Sequence, residues 1–480
     1  MREGYEMIIG LEIHCQLLTE SKMFCPEAAL YGEQPNTVLS PVSYGHPGAL
    51  PSINYNAYLY AIRACLATHC KVAESTYFAR KNYFYPDLPK GYQITQDKTP
   101  IGLGGYINIR LKDNSSKRIG ITRIHIEEDA GKSLHDQDLY DTLLDLNRAG
   151  VGLIEIVSEP DMRSPEEAAT YVSEIRKLVR YISICDGNME DGSLRVDVNV
   201  SVRPKGEQKF GKRVEIKNMN SISNLTKAID YEAERQIKEI ESGNIILQQT
   251  RTWDVAKGVT MIMRDKETAD DYRYFPEPDL LPVFMGKQDI IAVEKTLPPL
   301  PEVLYPKYTQ ELGLSDFDAQ VITEQRDVAL YFEDLLTHNI EPKIAANWIL
   351  GPVKNYLNEQ AIDINQITIK PNILASLINL VSEGKVSLTI AKEYIFPLLP
   401  NATQTPFEIA KENNWLLSVN EDAIKVAIAQ VLAEFPQKVV EFKAGKVGLL
   451  GFFVGKVMDL TLKQADPKVI NQLVRQALDS

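Results

Sequence analysis

The stretch "SLRVDVNVSVRP", residues 193–204, alternates without a break: Leu194, Val196, Val198, Val200 and Val202 fall on one side of an extended chain, Arg195, Asp197, Asn199, Ser201 and Arg203 on the other. Successive side chains of a strand point to opposite faces, so this is a strand with one apolar and one charged face. Such a strand belongs to an antiparallel sheet covered on one side only. Three further stretches repeat the pattern. In "GLEIHCQL" (10–17), Leu11, Ile13, Cys15 and Leu17 oppose Glu12, His14 and Gln16. In "RVEIKN" (213–218), Val214 and Ile216 oppose Arg213, Glu215 and Lys217, and in "RIHIE" (123–127), Ile124 and Ile126 oppose Arg123, His125 and Glu127.

A polar sheet face facing water is ordinary, and for one strand that reading suffices. Four strands that mix acids with Arg, Lys or His, where a wet face tolerates Thr, Ser and Gln, point further. If the strands are neighbours, their carboxylates repel one another unless a divalent cation sits among them. Oxygen ligands with one imidazole suit Mg²⁺ or Mn²⁺ better than zinc. Cations interleaved with metal-binding acids are what phosphoryl transfer requires, because its catalysis is largely positioning and charge neutralisation. Arg195, Arg203, Lys217 and Arg273 are candidates for phosphate contacts, or equally for structural partners of the acids. No G-x-x-x-x-G-K-[ST] loop, G-x-S-x-G elbow or C-x-x-C pair occurs. Two stretches rich in aromatics, "RKNYFYPDLPKGYQITQ" (80–96) and "DDYRYFPEPDLLP" (270–282), read as ordered loops whose rings, Tyr83 and Tyr85 among them, can stack on a base.

The 480 residues exceed one ordinary core, and two or three domains are expected. A proline-rich connector, "KTLPPLPEVLYP" (295–306), separates a mixed strand and helix region from a helical one, and "LLPNATQTPFE" (398–408) divides the latter again. Two helices are well signalled in the first region. One opens on Ser164, Pro165 and Glu167, a capping box with proline at N1; the other repeats Ile222, Leu225, Ile229 and Ile237 and stops at Gly243. Lys and Arg number 52 against 65 Asp and Glu, a net charge of −13, so any RNA contact is local. The amino terminus resembles no secretory signal, no 18-residue apolar run occurs, and five scattered cysteines suit reduced thiols; a cytoplasmic protein with no membrane partner is expected.

The motifs "GLEIHCQL", "RKNYFYPDLPKGYQITQ", "RIHIEEDAGK", "DLNRAGVGLIEIVSEPDMRSPEEA", "GSLRVDVNVSVRP", "VEIKNMNSI" and "DDYRYFPEPDL", with "GKVGLLGFFVGKVM" near the end, resemble in order the B subunits of the glutamyl/aspartyl-tRNA amidotransferases, GatB of the GatCAB complex. The resemblance implies an α+β fold: a glutamine-synthetase-like antiparallel-sheet cradle (1–294), an all-α helical domain (295–405) and a small YqeY-like helical tail (406–480). It implies an ATP-dependent ligase that phosphorylates the side-chain carboxylate of misacylated Glu-tRNA(Gln) or Asp-tRNA(Asn). Amidation would follow with ammonia from the glutaminase partner GatA, in a complex that also holds GatC. Carried over residue by residue, its metal-binding and catalytic set falls on Glu12, His14, Glu128, Asp197 and Glu215. Four of these lie on the charged faces by alternation. Glu128 does not, so the strand is expected to end at the acids, with Glu127 as second choice for the metal and His125 in a supporting role. Many relatives carry two cysteine pairs before "PGALP", where this chain keeps only Cys25, and no zinc is expected. In the tail, seven cations against four acids between Pro436 and Ser480 suit tRNA phosphates, with Lys443, Lys446, Lys456 and Lys463 as the expected contacts and glycines at 445, 448, 451 and 455 permitting close approach.

Overall fold

The computed structural model describes residue 2 and residues 4–134, 137–138, 140–265, 269–417, 421–461 and 467–479. They form two compact units, Met1–Leu300 and Pro301–Ser480. The fold is α+β: the first unit is built on a large sheet, the second on helices.

Among the described residues the sheet has twelve strands. In chain order they are β1 (Tyr5–Gln16), β2 (Lys71–Val72), β3 (Ala79–Asn82), β4 (Tyr92–Thr95), β5 (Gly102–Arg110), β6 (Ser116–Glu128), β7 (Gly152–Ser158), β8 (Leu194–Pro204), β9 (Val214–Met219), β10 (Gln249–Asp254), β11 (Val259–Asp265) and β12 (Phe275–Pro276). Their order across the sheet is β11-β10-β9-β8-β1-β7-β6-β4-β3-β12, with β5 on β6 and β2 on β5. Every pairing is antiparallel except that of β9 with β10. The four strands read from alternation are thus close together, and β7 slots between β1 and β6.

Register then decides which side chains meet. Glu12 stands opposite Asp197 and His14 opposite Arg195 across the β1–β8 pair. On the other side of β1, His14 stands opposite Glu155, which in turn faces His125 of β6. The apolar parity of the same strands, Leu11, Ile13, Ile124, Ile126, Ile154, Ile156, Val196, Val198, Val200 and Ile216, is entirely buried. It packs against α1 (Tyr55–Ala67), α2 (Pro165–Tyr181) and α3 (Ile222–Glu241) in one core. Each large side chain so buried contributes roughly 1.5–3 kcal/mol, which holds the opposite, charged face in place.

The helices begin where the sequence signals them. Ser164 accepts from the Glu167 N–H at 3.1 Å, and Ser221 from the Asn224 N–H at 3.1 Å. The capping box on α2 is only half made, because the Glu167 carboxylate accepts from the Arg163 N–H (2.7 Å) and Lys117 (2.8 Å). Gly243, at φ +81°, ends α3. One polar knot fixes α3 to the sheet edge: the carboxylate of Glu232, fully buried, accepts from Arg235, Gln236 and Thr260, with Arg251 at 3.6 Å.

In the second unit, Pro342–Trp348 and Pro371–Ser382 are helices that open on proline, and Gly384 follows the latter at φ +68°. Ile424, Ile428, Val431, Phe453, Val457, Ile470, Val474 and Leu478 share a core of their own at the chain's end. Among the described residues, no helix is long and apolar enough to cross a membrane.

Candidate active site

Among the described residues, the charged face of the sheet carries two groups of ligand-bearing side chains. His14, Glu127 and Glu155 form one, and Glu12, Asp197 and Glu215 the other; within each, one ligand atom per residue lies within 4.8 Å of the others. The two are two residues apart along β1, which at strand rise is roughly 7 Å.

The first group is built across β1, β7 and β6. His14 Nε2 lies 3.5 Å from Glu155 Oε2 and 3.6 Å from Glu127 Oε1. His125 Nε2 lies 3.1 Å from the same Glu155 oxygen and 3.5 Å from Glu127 Oε2. Burial works against a charge on either ring, but Glu155 and Glu127 outweigh it, raising the pKa of His14 and pushing that of His125 up to about 9. The exchange is mutual. Burial disfavours the Glu155 carboxylate, yet His125 and His14 hold its pKa well below the usual range, and Glu127 is lowered in the same way, His125 foremost. His125 Nδ1 is buried and makes no hydrogen bond among the described residues.

The second group lies across β1, β8 and β9. Asn199 donates to Glu12 Oε1 at 3.0 Å, and Thr250 of β10 donates to Glu215 Oε2 at 2.8 Å. Lys217 donates to Asp197 Oδ2 at 2.8 Å and lies 3.7 Å from Glu215 Oε1. Burial works against the Lys217 ammonium, but Asp197 and Glu215 overcome it and raise its pKa.

Both donor sets fit a hard divalent cation. Opposite ligands of an octahedral Mg²⁺ stand roughly 4.2 Å apart, about the span available in each group. One set is two carboxylates with an imidazole, the other three carboxylates, and neither offers the thiolates that favour zinc. Cys25 is buried, its Sγ 3.7 Å from Ser43 Oγ.

Glu128 belongs to neither group. The strand ends at the acids, with Glu128 its last residue, but alternation does not lapse there: Glu127 shares the face of His125 while Glu128 shares the parity of Ile126. The Glu128 carboxylate, buried, accepts from the Ile94 N–H at 2.9 Å and from the Lys90 ammonium. Glu155 is the residue that sequence reasoning missed. Its signal was present in "GLIEIVS" (152–158), where a lone acid stands between Ile154 and Ile156.

The cations divide. Arg195 donates to Asp129 at 2.7 Å, and Arg203 donates to Glu6 (2.8 Å) and the Gln208 carbonyl (2.9 Å) at the far end of β8. Only Lys217 sits inside a ligand group. Arg273 is exposed, its backbone at φ +47°. The two aromatic loops meet: Tyr83 packs edge-on against Tyr85 and Tyr272, and Tyr272 against Tyr274. Burial raises the pKa of Tyr83, with Glu127 and Glu128 adding to it, and that of Tyr274, with Asp97 and Glu127 adding to it; the Tyr83 hydroxyl donates to Gln93 Oε1 at 3.4 Å. The loop bearing Tyr272 and Tyr274 is pinned by Arg80, bidentate to the buried Glu277 at 2.6 and 2.8 Å. In the second unit Lys443, Lys446 and Lys456 are exposed, Lys446 lying 3.1 Å from Glu441 and Lys456 5.9 Å from the Phe435 ring centre. Lys463 lies outside the described residues.

The sheet and its ligand groups are the part of the chain that matches a family model described as the GatB/GatE catalytic domain, over residues 7–291; a second, described as the GatB domain, matches residues 330–478. Proteins named as B subunits of aspartyl/glutamyl-tRNA(Asn/Gln) amidotransferase are similar over nearly their whole length. That of Synechococcus sp. (strain JA-2-3B'a(2-13)) is 47% identical over 99% of this chain and 98% of its own. Those of Thermodesulfovibrio yellowstonii (46%; 99% of each chain) and Alkalilimnicola ehrlichii (47%; 99% and 100%) are alike. The chain belongs to this family of amidotransferase B subunits, and its enzymatic setting is a glutamine-dependent ligase complex.

Proposed function

We propose that this chain is the kinase and transamidase component of a cytoplasmic complex with GatA and GatC, acting on misacylated Glu-tRNA(Gln), Asp-tRNA(Asn) or both. The observation that carries the reading is the single sheet face bearing two carboxylate-rich ligand groups with Lys217 among them. A side-chain carboxylate oxygen of the tRNA-borne amino acid attacks the γ-phosphorus of ATP and ADP leaves. Ammonia supplied by the glutaminase GatA attacks the resulting acyl phosphate at carbon, phosphate departs, and one proton of the nitrogen is shed to give the amide.

Mg²⁺, or Mn²⁺ in its place, held by His14, Glu127 and Glu155 and by Glu12, Asp197 and Glu215, supplies neutralisation of the transferring oxygens when bound. The chain's own residues do the rest. Lys217 presents a fixed ammonium to the phosphate, Asn199 and Thr250 orient Glu12 and Glu215, and His125 holds Glu127 and Glu155 ionised and aimed at His14. Tyr83, Tyr85, Tyr272 and Tyr274 wall the first group and exclude water from the acyl phosphate. In this reading the sheet unit is a glutamine-synthetase-like cradle (1–294), followed by a helical domain (295–405) and a YqeY-like tail (406–480) that grips tRNA through Lys443, Lys446, Lys456 and Lys463.

Asp197→Ala and Glu155→Ala, each in the co-purified complex given ATP, glutamine and one misacylated tRNA at a time, test this. Amide formation is expected to fall about 1,000-fold or more, as when preorganised charge stabilisation is removed, while glutamine hydrolysis by the partner persists. Amide formed at the normal rate by either variant would leave the chain as a tRNA-binding scaffold. Elemental analysis of the purified complex checks the zinc expectation, with stoichiometric zinc as the opposing result.

A further inference from the structure

Lys22, in the loop that follows β1, is 0% exposed, and no step above uses it. A lysine seldom goes inside without a carboxylate partner, because the ammonium gives up its water. Here its hydrogen bonds go to two main-chain carbonyls, those of Val38 and Ala149, both at 2.8 Å. Burial lowers the pKa of the ammonium, and Cys25, Glu27, Glu128 and Asp145 act against that. A charged donor on a carbonyl is roughly twice as strong a bond as a neutral one, so two segments of main chain are fixed on one buried charge.

Those segments are already laced together. Asn36 donates to the Leu144 carbonyl at 2.8 Å, Asn147 to the Gln34 carbonyl at 2.7 Å, and the Val38 N–H to Asn147 Oδ1 at 2.9 Å. From Ala149 the contacts continue toward the charged face. Gly150, at φ +84°, donates its N–H to the Asp129 carbonyl at 2.9 Å, and its own carbonyl accepts from the Met23 N–H at 2.8 Å. Arg148, on the other side of Ala149, donates to the Ala130 and Gly131 carbonyls at 3.0 and 2.6 Å. Asp129 is therefore held through the turn that Lys22 anchors, and its Oδ2 accepts from Arg195 at 2.7 Å. Arg195 stands opposite His14 across the β1–β8 pair, beside the first ligand group. A fixed charge stabilises a reaction only while it is held in place, and small displacements are costly.

We propose that Lys22 is a positioning residue: its internal ammonium sets the turn at 148–150 and, through Asp129, the Arg195 guanidinium beside the first ligand group. The proposal rests on the functional reading above. Lys22→Met and Asp129→Asn, singly and together in the co-purified complex, test it. Lys22→Met is expected to lower kcat for amide formation about 10- to 100-fold, with glutamine hydrolysis by the partner unchanged. In the Asp129→Asn complex the same substitution should cost less than about twofold more, because the path it acts through is already cut. A lysine that only stabilises the fold would lower the melting temperature and leave the two effects on kcat to multiply. That multiplication, or a Lys22→Met complex with kcat within about twofold of the unaltered one, would overturn the proposal. Should Lys22→Met fail to assemble with its partners, Lys22→Arg, which keeps the charge and the donors on a longer arm, carries the same cycle. The functional reading fails separately, if the unaltered complex forms no amide from ATP.

Discussion

Glu127 and Glu128 are neighbours with opposite surroundings, and they show how much a residue's role depends on strand parity. Glu127 lies beside two imidazoles, His14 on β1 and His125 two residues before it on its own strand; Glu128 is buried against the Lys90 ammonium and the Ile94 N–H. Opposite signatures follow. Glu127→Gln is expected to weaken Mn²⁺ binding by about tenfold or more, as loss of a ligand charge does, with little change in the melt. Glu128→Gln is expected to leave Mn²⁺ binding within about twofold but to cost the fold roughly 3–5 kcal/mol, because it strands a buried ammonium. Calorimetric titration and urea unfolding of both variants decide it, and weakened Mn²⁺ binding by the Glu128 variant at unchanged stability would return that residue to the site. His125 gives a pH dependence of definite sign. Its folded pKa, near 9, exceeds the ordinary 6.5, so in the metal-free protein the stability it contributes is complete below about 6.5 and is lost as pH rises through 9. The lowered carboxylates act oppositely, their contribution present above about 4.5 and lost on acidification. The melting temperature should therefore fall between pH 7 and 9.5, and His125→Gln should flatten that slope.

At the scale of elements, alternation is legible because it is a property of one strand. That Val196, Val198 and Val200 would be buried and Asp197 would not follows from the backbone alone, and the structure agrees about the valines completely. Which strands are neighbours is a different matter. β1 pairs with β7 and β8, about 140 and 190 residues away in sequence, and no local signal encodes that choice. This is why Glu155 stayed hidden: its acid was visible in "GLIEIVS", but its importance depends on β7 lying between two histidine-bearing strands. Close approach between elements is similarly invisible until glycines are seen in place. Gly105 of β5 lies against the end of α1, where a Cβ would stand 2.3 Å from the Thr68 carbonyl oxygen and 2.4 Å from Cys70 Sγ. Backbone cannot yield as a side chain does, so Gly105→Ala should cost about 1–3 kcal/mol or more. Urea unfolding measures it, and an unaltered midpoint would show that β5 can slide off α1.

For the whole molecule, the net charge of −13 rules that RNA is gripped locally or not at all. Between Pro436 and Ser480 the tail carries seven of the 52 cations against four acids, and its glycines offer a test that separates packing from recognition. Gly455 lies within the helix Leu450–Leu460, is exposed, and a Cβ added there meets nothing within 4 Å of the chain. By helix propensity alone, Gly455→Ala should stabilise that helix by roughly 0.5–1 kcal/mol. If the glycine is there so that a phosphate can approach the backbone, the same methyl must weaken tRNA binding, and the two effects carry opposite signs. Alanine at 455 is thus expected to hold or raise the melting temperature of the chain while the Kd of the complex for tRNA rises several-fold at fixed salt. Lys443→Ala and Lys456→Ala should also weaken binding, each lowering the slope of log affinity against log salt by about one, because each releases one fewer counterion. Unchanged affinity in the glycine variant, with unchanged salt slopes in both lysine variants, would mean that these cations only solvate an ordinary helical bundle. The tRNA would then be held elsewhere in the complex.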